Sequence, residues 1–430
     1  MKNLEYLYQL LKQEMVQRKE EGCDISGYEG KLEEAKGDED KLLKLYEELS
    51  SLSSKPDFPY YEPSDWEELR NGLSFPSPLP LPQEETLNDK IYGAWLGRCA
   101  GCMLGKPVEG WSREKIKENL KRIREYPLTY YFPLEFFPEV NPYLKSITRG
   151  NIKRAVRDDD TDYTILNLHI CETYGKNFTP LDVGKEWLEH FPYHLVYTAE
   201  REAYRNLVLG LEPPETSIFL NPFREWIGAQ IRADAWGYVS AGNPALAFEL
   251  AWRDAILSHR KNGIYGEIFF SVLISSVLAG LDLMEGIEMA LSLIPPRSRF
   301  GEAVNFALAL HKKEGNWERA IEIALEKYGD YHPVHTINNA VIVLLALLYG
   351  EGDFGKSICL SVMGGLDTDC NGATVGSVMG GILGASNLPE EWVEPLNDEL
   401  ESVLVGFQKN KISDLASRTL KLVYSFRADE

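Results

Sequence analysis

The chain has 430 residues, of which 44% are hydrophobic and 11% aromatic, enough to bury a large core and to exclude extensive disorder. Its formal net charge of −21 excludes the broad basic face that nucleic-acid binding needs. Six cysteines without disulfide-scaffold spacing, a charged N-terminus and no apolar run of membrane-spanning length predict a soluble, reduced, cytoplasmic protein with no membrane partner. The sequence does not indicate the oligomeric state.

Two helical patterns in residues 1–60 predict an N-terminal helical extension. Their apolar stripes consist of Leu4, Leu7, Leu11 and Met15, and then of Leu42, Leu45, Tyr46, Leu49 and Leu52. Prolines concentrated between residues 56 and 82 predict an extended connection rather than a packed element. We therefore expect the main domain at residues 86–430.

Helical periodicity recurs through the main domain, whereas clean strand alternation is scarce. The predicted helices are 89–104, 162–174, 244–259, 264–284, 301–312, 316–328, 336–349 and 371–384. Residues 130–132 could form a short strand, but the sequence offers no evident partner for it. These patterns predict an all-α fold.

Two of the predicted helices carry a glycine at every fourth position. The glycines are Gly93, Gly97, Gly101 and Gly105 in the first helix and Gly372, Gly376, Gly380 and Gly384 in the second. Each interior glycine costs a helix ~1 kcal/mol relative to alanine, so such a stripe needs a structural reason. Close approach of another backbone to one face of each helix supplies that reason.

The first acidic segment reads Arg157-Asp158-Asp159-Asp160-Thr161-Asp162 and stands at the start of a predicted helix. Ordinary helix capping explains one or two of these side chains, because Asp and Thr are favoured caps. Consecutive aspartates repel one another, however, and a bound cation would relieve that repulsion.

Asp367 and Asp369 form the second acidic segment, which follows Gly364-Gly365 and leads into the second glycine-striped helix. A glycine-rich connector with an aspartate cap is the simpler interpretation of this segment alone. Together the two segments supply five or six carboxylates, and such hard oxygen ligands suit Mg²⁺ or Mn²⁺ better than zinc. This surplus of carboxylates predicts two divalent cations ~4 Å apart.

Glu109 is a third candidate. The first glycine-striped helix ends at Gly105-Lys106-Pro107, and the proline leaves Glu109 in the following loop, where it could face a cleft. Considered alone, a loop glutamate is more typical of a solvated surface.

With these pieces in order, the sequence resembles the ADP-ribosylglycohydrolase family, which includes the dinitrogenase reductase-activating glycohydrolases. That family shows a helix ending in G-D-A-x-G-x-P-x-E, then T-D-D-T, and finally G-G-D-T-D-T-x-G. The matching residues are Gly101, Gly105, Pro107 and Glu109, then Asp159, Asp160 and Thr161, and lastly Asp367, Thr368, Asp369 and Gly372. The segments Gly228-Ala229-Gln230-Ile231-Arg232 and Ser258-His259 are similar to the family's G-A-x-M-R and T-H, so the likeness covers residues 86–390.

The resemblance implies an orthogonal multi-helix bundle of the family type and a hydrolase that cleaves an N- or O-glycosidic bond to a ribosyl group, by default in ADP-ribosyl adducts. It implies two divalent cations, Mg²⁺ or Mn²⁺, that orient the ribose hydroxyls and activate water. The implied metal ligands are Asp158, Asp159, Asp160, Asp367 and Asp369. The implied catalytic residues are Glu109 and Asp159, and the implied substrate-binding residues are Gly228, Arg232, His259, Asn371 and Gly372.

Three positions depart from the family pattern. Cys102 replaces an aspartate, Asp158 replaces a threonine or serine, and Cys370 replaces a threonine that can bind metal. A neutral thiol is a poor ligand for a hard ion, so water or Asn371 could fill that position. These changes leave two alternatives open: hydrolysis of a nucleoside-like glycoside, and a non-catalytic module that binds ADP-ribose or a nucleotide. A metal-dependent phosphohydrolase is a third alternative, because Arg157 and Arg232 could contact a phosphate.

Two further features have structural interpretations. His332 and His335 lack additional zinc ligands at suitable spacing, so His335 is expected to cap a helix or line a pocket. Trp226 and Trp236 are expected in the core, with stacking on a nucleobase as the functional alternative.

Overall fold

The computed structural model describes residues 3–428, whose regular elements are almost all helices, as predicted. The strands in this part of the chain are β1 (Glu399–Glu401) and β2 (Lys409–Lys411), which form an antiparallel hairpin. No helix among these residues is both long and apolar enough to cross a membrane. The α-helices are α1 (Leu4–Glu20), α2 (Tyr28–Ala35), α3 (Glu39–Ser50), α4 (Trp66–Arg70), α5 (Glu84–Gly105), α6 (Arg113–Arg122), α7 (Pro142–Ser146), α8 (Asp159–Tyr174), α9 (Pro180–His190), α10 (Ala199–Val208), α11 (Glu215–Ile218), α12 (Ala233–Val239), α13 (Pro244–Ala255), α14 (Asn262–Leu278), α15 (Leu283–Ser292), α16 (Arg299–Lys313), α17 (Trp317–Tyr328), α18 (Thr336–Tyr349), α19 (Phe354–Met363), α20 (Thr368–Leu383), α21 (Glu390–Val393) and α22 (Ile412–Ala428). Short 3-10 turns lie at Lys106–Val108, Leu134–Phe136, Gly175–Asn177, Tyr193–Leu195, Gln230–Arg232, Ala385–Asn387 and Glu394–Leu396.

Each helix predicted in the main domain is present, and the long apolar ones form the centre. Every residue of α14 and of α18 is buried, which explains why these segments are apolar on all sides. The predicted helix 264–284 is too long, because α14 ends at Leu278 and Gly280 turns the chain with φ +103° before α15 begins. Residues 130–132 do not form a strand.

The N-terminal extension contains three helices rather than the two predicted, and it has a small hydrophobic core of its own. That core includes Leu220 of the main domain, and the Tyr46 hydroxyl accepts a hydrogen bond from the Leu220 amide at 3.0 Å. Arg224 of the main domain donates to both carboxylate oxygens of Glu14, at 2.7 and 2.9 Å, and to Glu21 at 3.1 Å. All three charged side chains are buried, so the extension is joined to the main domain by an interior ionic contact.

The connection after the extension is extended, but it is packed into the main domain, contrary to the sequence-based expectation. The carboxylate of Glu62 accepts from the side chain of Arg299 at 2.7 Å and from Asn262 at 2.9 Å. The backbone carbonyl of Pro63 accepts from the Tyr265 hydroxyl. Proline-rich sequence excludes a helix here, but polar anchors from other helices still fix the segment.

The two glycine stripes face each other in the antiparallel pair of α5 and α20, which bear the candidate motifs at their ends. A Cβ atom placed at Gly101 would collide with the carbonyl oxygen of Gly372, and one at Gly97 would collide with that of Gly376. Gly93 stands in the same relation to Gly380. Only glycine lets the two backbones approach this closely, so the stripes set the distance between the two helices, as the sequence predicted.

Gly376→Ala is expected to destabilise the protein by ~1–3 kcal/mol or more, because the new methyl group meets a backbone carbonyl that cannot rotate away. Gly381→Ala is the matched control on the same helix. Its methyl group would find only ordinary contacts, the nearest at 3.4 Å, so it should be neutral or stabilise by up to ~1 kcal/mol. Urea unfolding of both variants measures the difference, and equal losses would show that the close helix contact is not required.

Candidate metal centre and substrate cavity

A cavity of about 430 Å³ opens where the ends of α5, α8, α10 and α20 meet. Acidic side chains from both sequence motifs form one side of it, and aromatic and aliphatic side chains form the other. Its lining residues are Lys106, Glu109, Arg157, Asp158, Asp159, Tyr197, Thr198, Glu200, Trp226, Ile227, Gly228, Ile231, Val334, Asp367, Asp369 and Cys370. The two acidic motifs, some 200 residues apart in the chain, are therefore neighbours in space.

The first acidic motif is held at the start of α8. The carboxylate of Asp158 caps the helix by accepting from the Asp160 amide at 3.0 Å. The side chain of Arg98, wholly buried in α5, donates to the backbone carbonyl of Asp160 and to Asp234, both at 2.7 Å. Arg98 thereby fixes the N-terminus of α8 against α5, and with it the direction of the aspartates.

The second acidic motif is positioned by a tight turn before α20. Gly365 takes φ +74°, a conformation that glycine adopts without strain, and its neighbour Leu366 takes φ +63°. The side-chain oxygen of Asn339 accepts from the Asp367 amide at 3.1 Å and from the Asn371 side chain at 2.8 Å. Asn339 thus ties the turn to α18 and places Asp367 and Asp369 at the cavity.

Two buried carboxylate oxygens in this cluster, Asp160 Oδ2 and Asp369 Oδ1, have no hydrogen-bond partner. Ligand atoms of Asp160, Asp369 and Cys370 lie within 4.8 Å of one another, and so do those of Cys102, Asp158 and Asp160. Buried charged oxygens are normally paired or bound to a cation. These carboxylate oxygens therefore suit hard divalent cations, the class of metal that the sequence led us to expect.

The pKa values of the clustered aspartates show that their negative charges are only partly compensated. Burial, reinforced by the charge of Asp158, raises the pKa values of Asp159, Asp160 and Asp369 well above the ordinary range. Burial also raises the pKa of Asp367. A cation bound among these groups would reverse the shifts, because it stabilises the ionised carboxylates.

Asp158 is the exception, because the ammonium of Lys106 contacts its carboxylate directly. Burial opposes ionisation of Asp158, but the charge of Lys106 outweighs it and holds the pKa at about 2. Lys106 stands at a position where the family pattern accepts any residue. It was therefore not expected at the site. In this structure it neutralises one of the five aspartates proposed as metal ligands.

Glu109 lies at the mouth of the cavity, as the proline before it suggested. It follows the short 3-10 turn Lys106–Val108, and its residue remains exposed to solvent. Partial loss of hydration, together with the charges of Asp158 and Asp367, raises the pKa of Glu109 to about 7. Its carboxyl group can therefore take up or release a proton near neutral pH.

Four of the residues implied to bind substrate do not line the cavity: Arg232, His259, Asn371 and Gly372. The side chain of Arg232 is completely buried and donates to Asp254 and Glu200, both at 2.7 Å. His259 is also fully buried, with its Nδ1 atom 2.7 Å from the hydroxyl of the adjacent Ser258. The structure thus gives Arg232 and His259 supporting positions behind the cavity wall instead of direct access to a ligand.

The other two residues pack behind the metal-binding motif. Asn371 is buried, and its unpartnered side-chain oxygen and its bond to Asn339 place it under the turn of Asp367. Gly372 faces the backbone of Gly101 between the two glycine stripes. Gly228, by contrast, lines the cavity, and only a glycine fits there because a Cβ atom would collide with the Glu200 carboxylate.

Sequence reasoning missed Glu200, Lys106 and Tyr197 at the cavity, since none belongs to a recognisable motif. Of the two tryptophans considered, Trp226 lines the cavity and stacks on His332 with ring centroids 3.9 Å apart. Trp236 is a core residue that donates to Glu267 at 2.9 Å. His335 caps α18 by accepting from the Ile337 amide, which confirms the capping interpretation.

The chain is similar in sequence to proteins of a known family. The ADP-ribosylglycohydrolase profile matches residues 83–427. The chain is 25% identical over 348 residues to an uncharacterised protein of Archaeoglobus fulgidus, an alignment that covers 78% of this chain and 100% of that protein. Among solved structures, an ADP-ribosylglycohydrolase-related protein complex matches at 20% identity and a TM-score of 0.47, over 79% of this chain and 99% of the other. Because the profile spans most of its length, the chain belongs to the ADP-ribosylglycohydrolase family.

Proposed function

We propose that the protein is a metal-dependent hydrolase that cleaves an N- or O-glycosidic bond to a ribosyl group, with ADP-ribosyl adducts as its substrate class. The observation that carries the proposal is the carboxylate cluster at the cavity, in which Asp369 lines the cavity and Asp160 lies behind it, with Asp369 Oδ1 and Asp160 Oδ2 buried without a donor. Membership of the family supports the glycohydrolase class.

The proposed cations are two Mg²⁺ or Mn²⁺ ions. Asp158, Asp159, Asp160, Asp367 and Asp369 would hold them, because carboxylate oxygens are the ligands these ions prefer. Bound there, they would orient the ribose hydroxyls and acidify a water molecule.

The nearby thiols contribute little to such a site. Burial raises the pKa values of Cys102 and Cys370 well above the usual range, so both remain neutral and bind hard ions poorly. All six cysteines are free, which agrees with the reducing, cytoplasmic location that we also propose.

The protein's own side chains account for proton transfer and substrate placement. Glu109, which lines the mouth of the cavity, can accept a proton from the attacking water at a carboxylate oxygen and return it to the leaving group. Asp159, at the first position of α8 and open to the cavity, can orient that water. The ring of Trp226, steadied by His332, offers a flat surface on which the adenine of an ADP-ribosyl group can stack.

The test is turnover of a mixed substrate panel after EDTA treatment, with and without added Mg²⁺ or Mn²⁺. The panel holds ADP-ribosyl-arginine, an ADP-ribosyl-serine peptide, ADP-ribose-1″-phosphate and several nucleosides, with free sugar as the readout. Metal-dependent release from an ADP-ribosyl substrate supports the proposal. Release from nucleosides alone would replace the substrate class, and release that ignores EDTA would remove the metal requirement.

Glu109→Gln is expected to retain metal binding and to lower kcat by ~10²–10⁴-fold, the usual contribution of a positioned acid–base group. The amide keeps the size of the side chain but cannot exchange a proton. Glu114→Gln, an exposed glutamate of α6, is the control. An unchanged kcat in Glu109→Gln would reduce Glu109 to a surface residue.

A specific contact favours a second candidate, a non-catalytic ADP-ribose-binding module. The ammonium of Lys106 already neutralises Asp158, so it competes with a cation for that carboxylate. If this contact persists in solution, the site would bind fewer ions than catalysis needs. Calorimetry with Mn²⁺ and ADP-ribose distinguishes the candidates, because tight binding of ADP-ribose without release of sugar from the panel identifies a binding module.

A further inference from the structure

A second group of potential metal ligands lies at the other end of α8 from the carboxylate cluster. It consists of His169 on α8 and of Glu186 and His190 on α9, and we name it the His–Glu–His group. One ligand atom from each residue lies within 4.8 Å of the other two. His169 is ten residues along α8 from Asp159, or ~15 Å of helix, so the group is separate from the proposed catalytic metals.

The protonation of His190 is fixed by its surroundings. Its Nδ1 atom lies 2.8 Å from the backbone carbonyl of Val405, and since a carbonyl only accepts, Nδ1 carries the proton. The Val405 amide in turn donates to the backbone carbonyl of His190 at 3.0 Å, which fixes the loop against the end of α9. The Nε2 atom of a neutral His190 therefore presents a lone pair, the arrangement in which protein histidines bind metals.

A buried carboxylate oxygen without a hydrogen-bond partner lies next to His190 Nε2. Glu186 is 4% exposed, and its Oε1 atom accepts from the Tyr174 hydroxyl at 2.8 Å. Its Oε2 atom has no hydrogen-bond partner, although it lies 3.0 Å from His190 Nε2 and 3.3 Å from His169 Nε2. Two imidazole nitrogens and one buried carboxylate oxygen thus converge without a hydrogen bond among them, an arrangement that suits a bound cation.

The distances agree with a bound ion. Zinc binds nitrogen and oxygen ligands at ~2.0–2.1 Å in tetrahedral sites, which places neighbouring ligand atoms ~3.3 Å apart. The separations from Glu186 to the two histidines match that spacing. Phe407 packs on both imidazole rings, at 4.8 and 5.3 Å between centroids, and holds them in place.

The neighbouring charges do not supply the missing partner. Arg418, the nearby cation, is paired with Glu172 at 2.6 Å. Thr173 reaches His169 Nε2 only at 3.5 Å.

We propose that the His–Glu–His group is a zinc site formed by His169 Nε2, Glu186 Oε2 and His190 Nε2, with a fourth position open to water. Two imidazoles and one carboxylate select Zn²⁺ over Mg²⁺, which the all-carboxylate cluster prefers. Zn²⁺ bound here joins α8, α9 and the loop at Val405. The site therefore stabilises the helix whose other end carries Asp158, Asp159 and Asp160.

The test titrates the full chain, stripped with EDTA, with Zn²⁺ in the presence of saturating Mg²⁺, by calorimetry. We expect one Zn²⁺ to bind tightly, His190→Ala and His169→Gln each to weaken binding by at least ~10-fold, and Zn²⁺ to raise the Tm of the wild type more than that of either variant. His194→Ala, an exposed histidine beyond the group, is the matched control and should bind Zn²⁺ normally. Circular dichroism checks that the variants are folded.

Asp369→Asn separates this site from the proposed catalytic centre, because it alters only the carboxylate cluster. It should retain the Zn²⁺ affinity of the wild type, whatever becomes of the catalytic proposal. Loss of Zn²⁺ binding in Asp369→Asn together with normal binding in His190→Ala would overturn the inference. So would the absence of Zn²⁺ binding in the wild type, which would identify the group as a protonated histidine–glutamate ion pair.

Discussion

Asp369→Asn is expected to abolish turnover together with Mg²⁺ or Mn²⁺ binding at the carboxylate cluster, while leaving the fold intact. Asp369 is 4% exposed, and its Oδ1 atom has no hydrogen-bond partner, so its carboxylate is poised for a cation. An amide keeps the shape but removes the charge. Metal ions supply several kcal/mol of transition-state stabilisation, so we expect kcat/KM to fall by at least ~10³-fold.

The metal-free stability of this variant should move in the opposite direction. Burial and the charges of Asp158 and Asp367 raise the pKa of Asp369, so its ionised form destabilises the native state without a cation. Removing that charge should leave the Tm in EDTA equal to or above that of the wild type at neutral pH. Asp353→Asn, an exposed cap of α19, is the control, because asparagine caps a helix as well as aspartate does. Full metal-dependent turnover in Asp369→Asn would remove Asp369 from the site.

Arg232→Met is expected to destabilise the protein by ~3–5 kcal/mol, the usual cost of leaving buried charges without their partner. The guanidinium of Arg232 bonds to Asp254 and Glu200 at 2.7 Å and lies 3.7 Å from Glu267, all of them buried. Methionine fills a similar volume but provides no charge.

Arg319→Met is the control for this prediction, because Arg319 is half exposed and forms a surface ion pair worth at most ~1 kcal/mol. Thermal unfolding of both variants gives the comparison. A normal Tm in Arg232→Met combined with weaker ADP-ribose binding would restore the direct substrate contact that the sequence suggested.

The helical fold could be predicted because its signals are local. Long apolar runs identified α14 and α18. The glycine stripes of α5 and α20 correctly indicated close backbone contact, because each interior glycine destabilises a helix unless such a contact requires it. Periodicity gives the buried face of a helix but not its partner, so the pairing of the two stripes required the structure. The break at Gly280 was missed because apolar residues continue on both sides of it.

The candidate site was predictable only where a motif names its residues. Glu109 and four of the aspartates, Asp158, Asp159, Asp367 and Asp369, do line one cavity, whereas Asp160 lies behind its wall. Lys106 and Glu200 were missed because their importance arises from distant neighbours, Asp158 and Arg232 respectively. The prediction for Arg232 was wrong for the same reason. A charged residue in a family segment suggests a ligand contact, but Arg232 is buried and pairs with three carboxylates from other parts of the chain.

The interior ion pairs between the extension and the main domain mean that the family match does not define an autonomous folding unit. A fragment that began at residue 83 would lack Glu14 and Glu21, the buried partners of Arg224, and Glu62, a buried partner of Arg299. Two arginines would then face the interior with missing counter-charges: Arg224, two residues before the cavity-lining Trp226, and Arg299, the first residue of α16. The boundary of the family match therefore differs from the boundary of the unit that folds together. The extension contributes to the stability of the domain that it precedes.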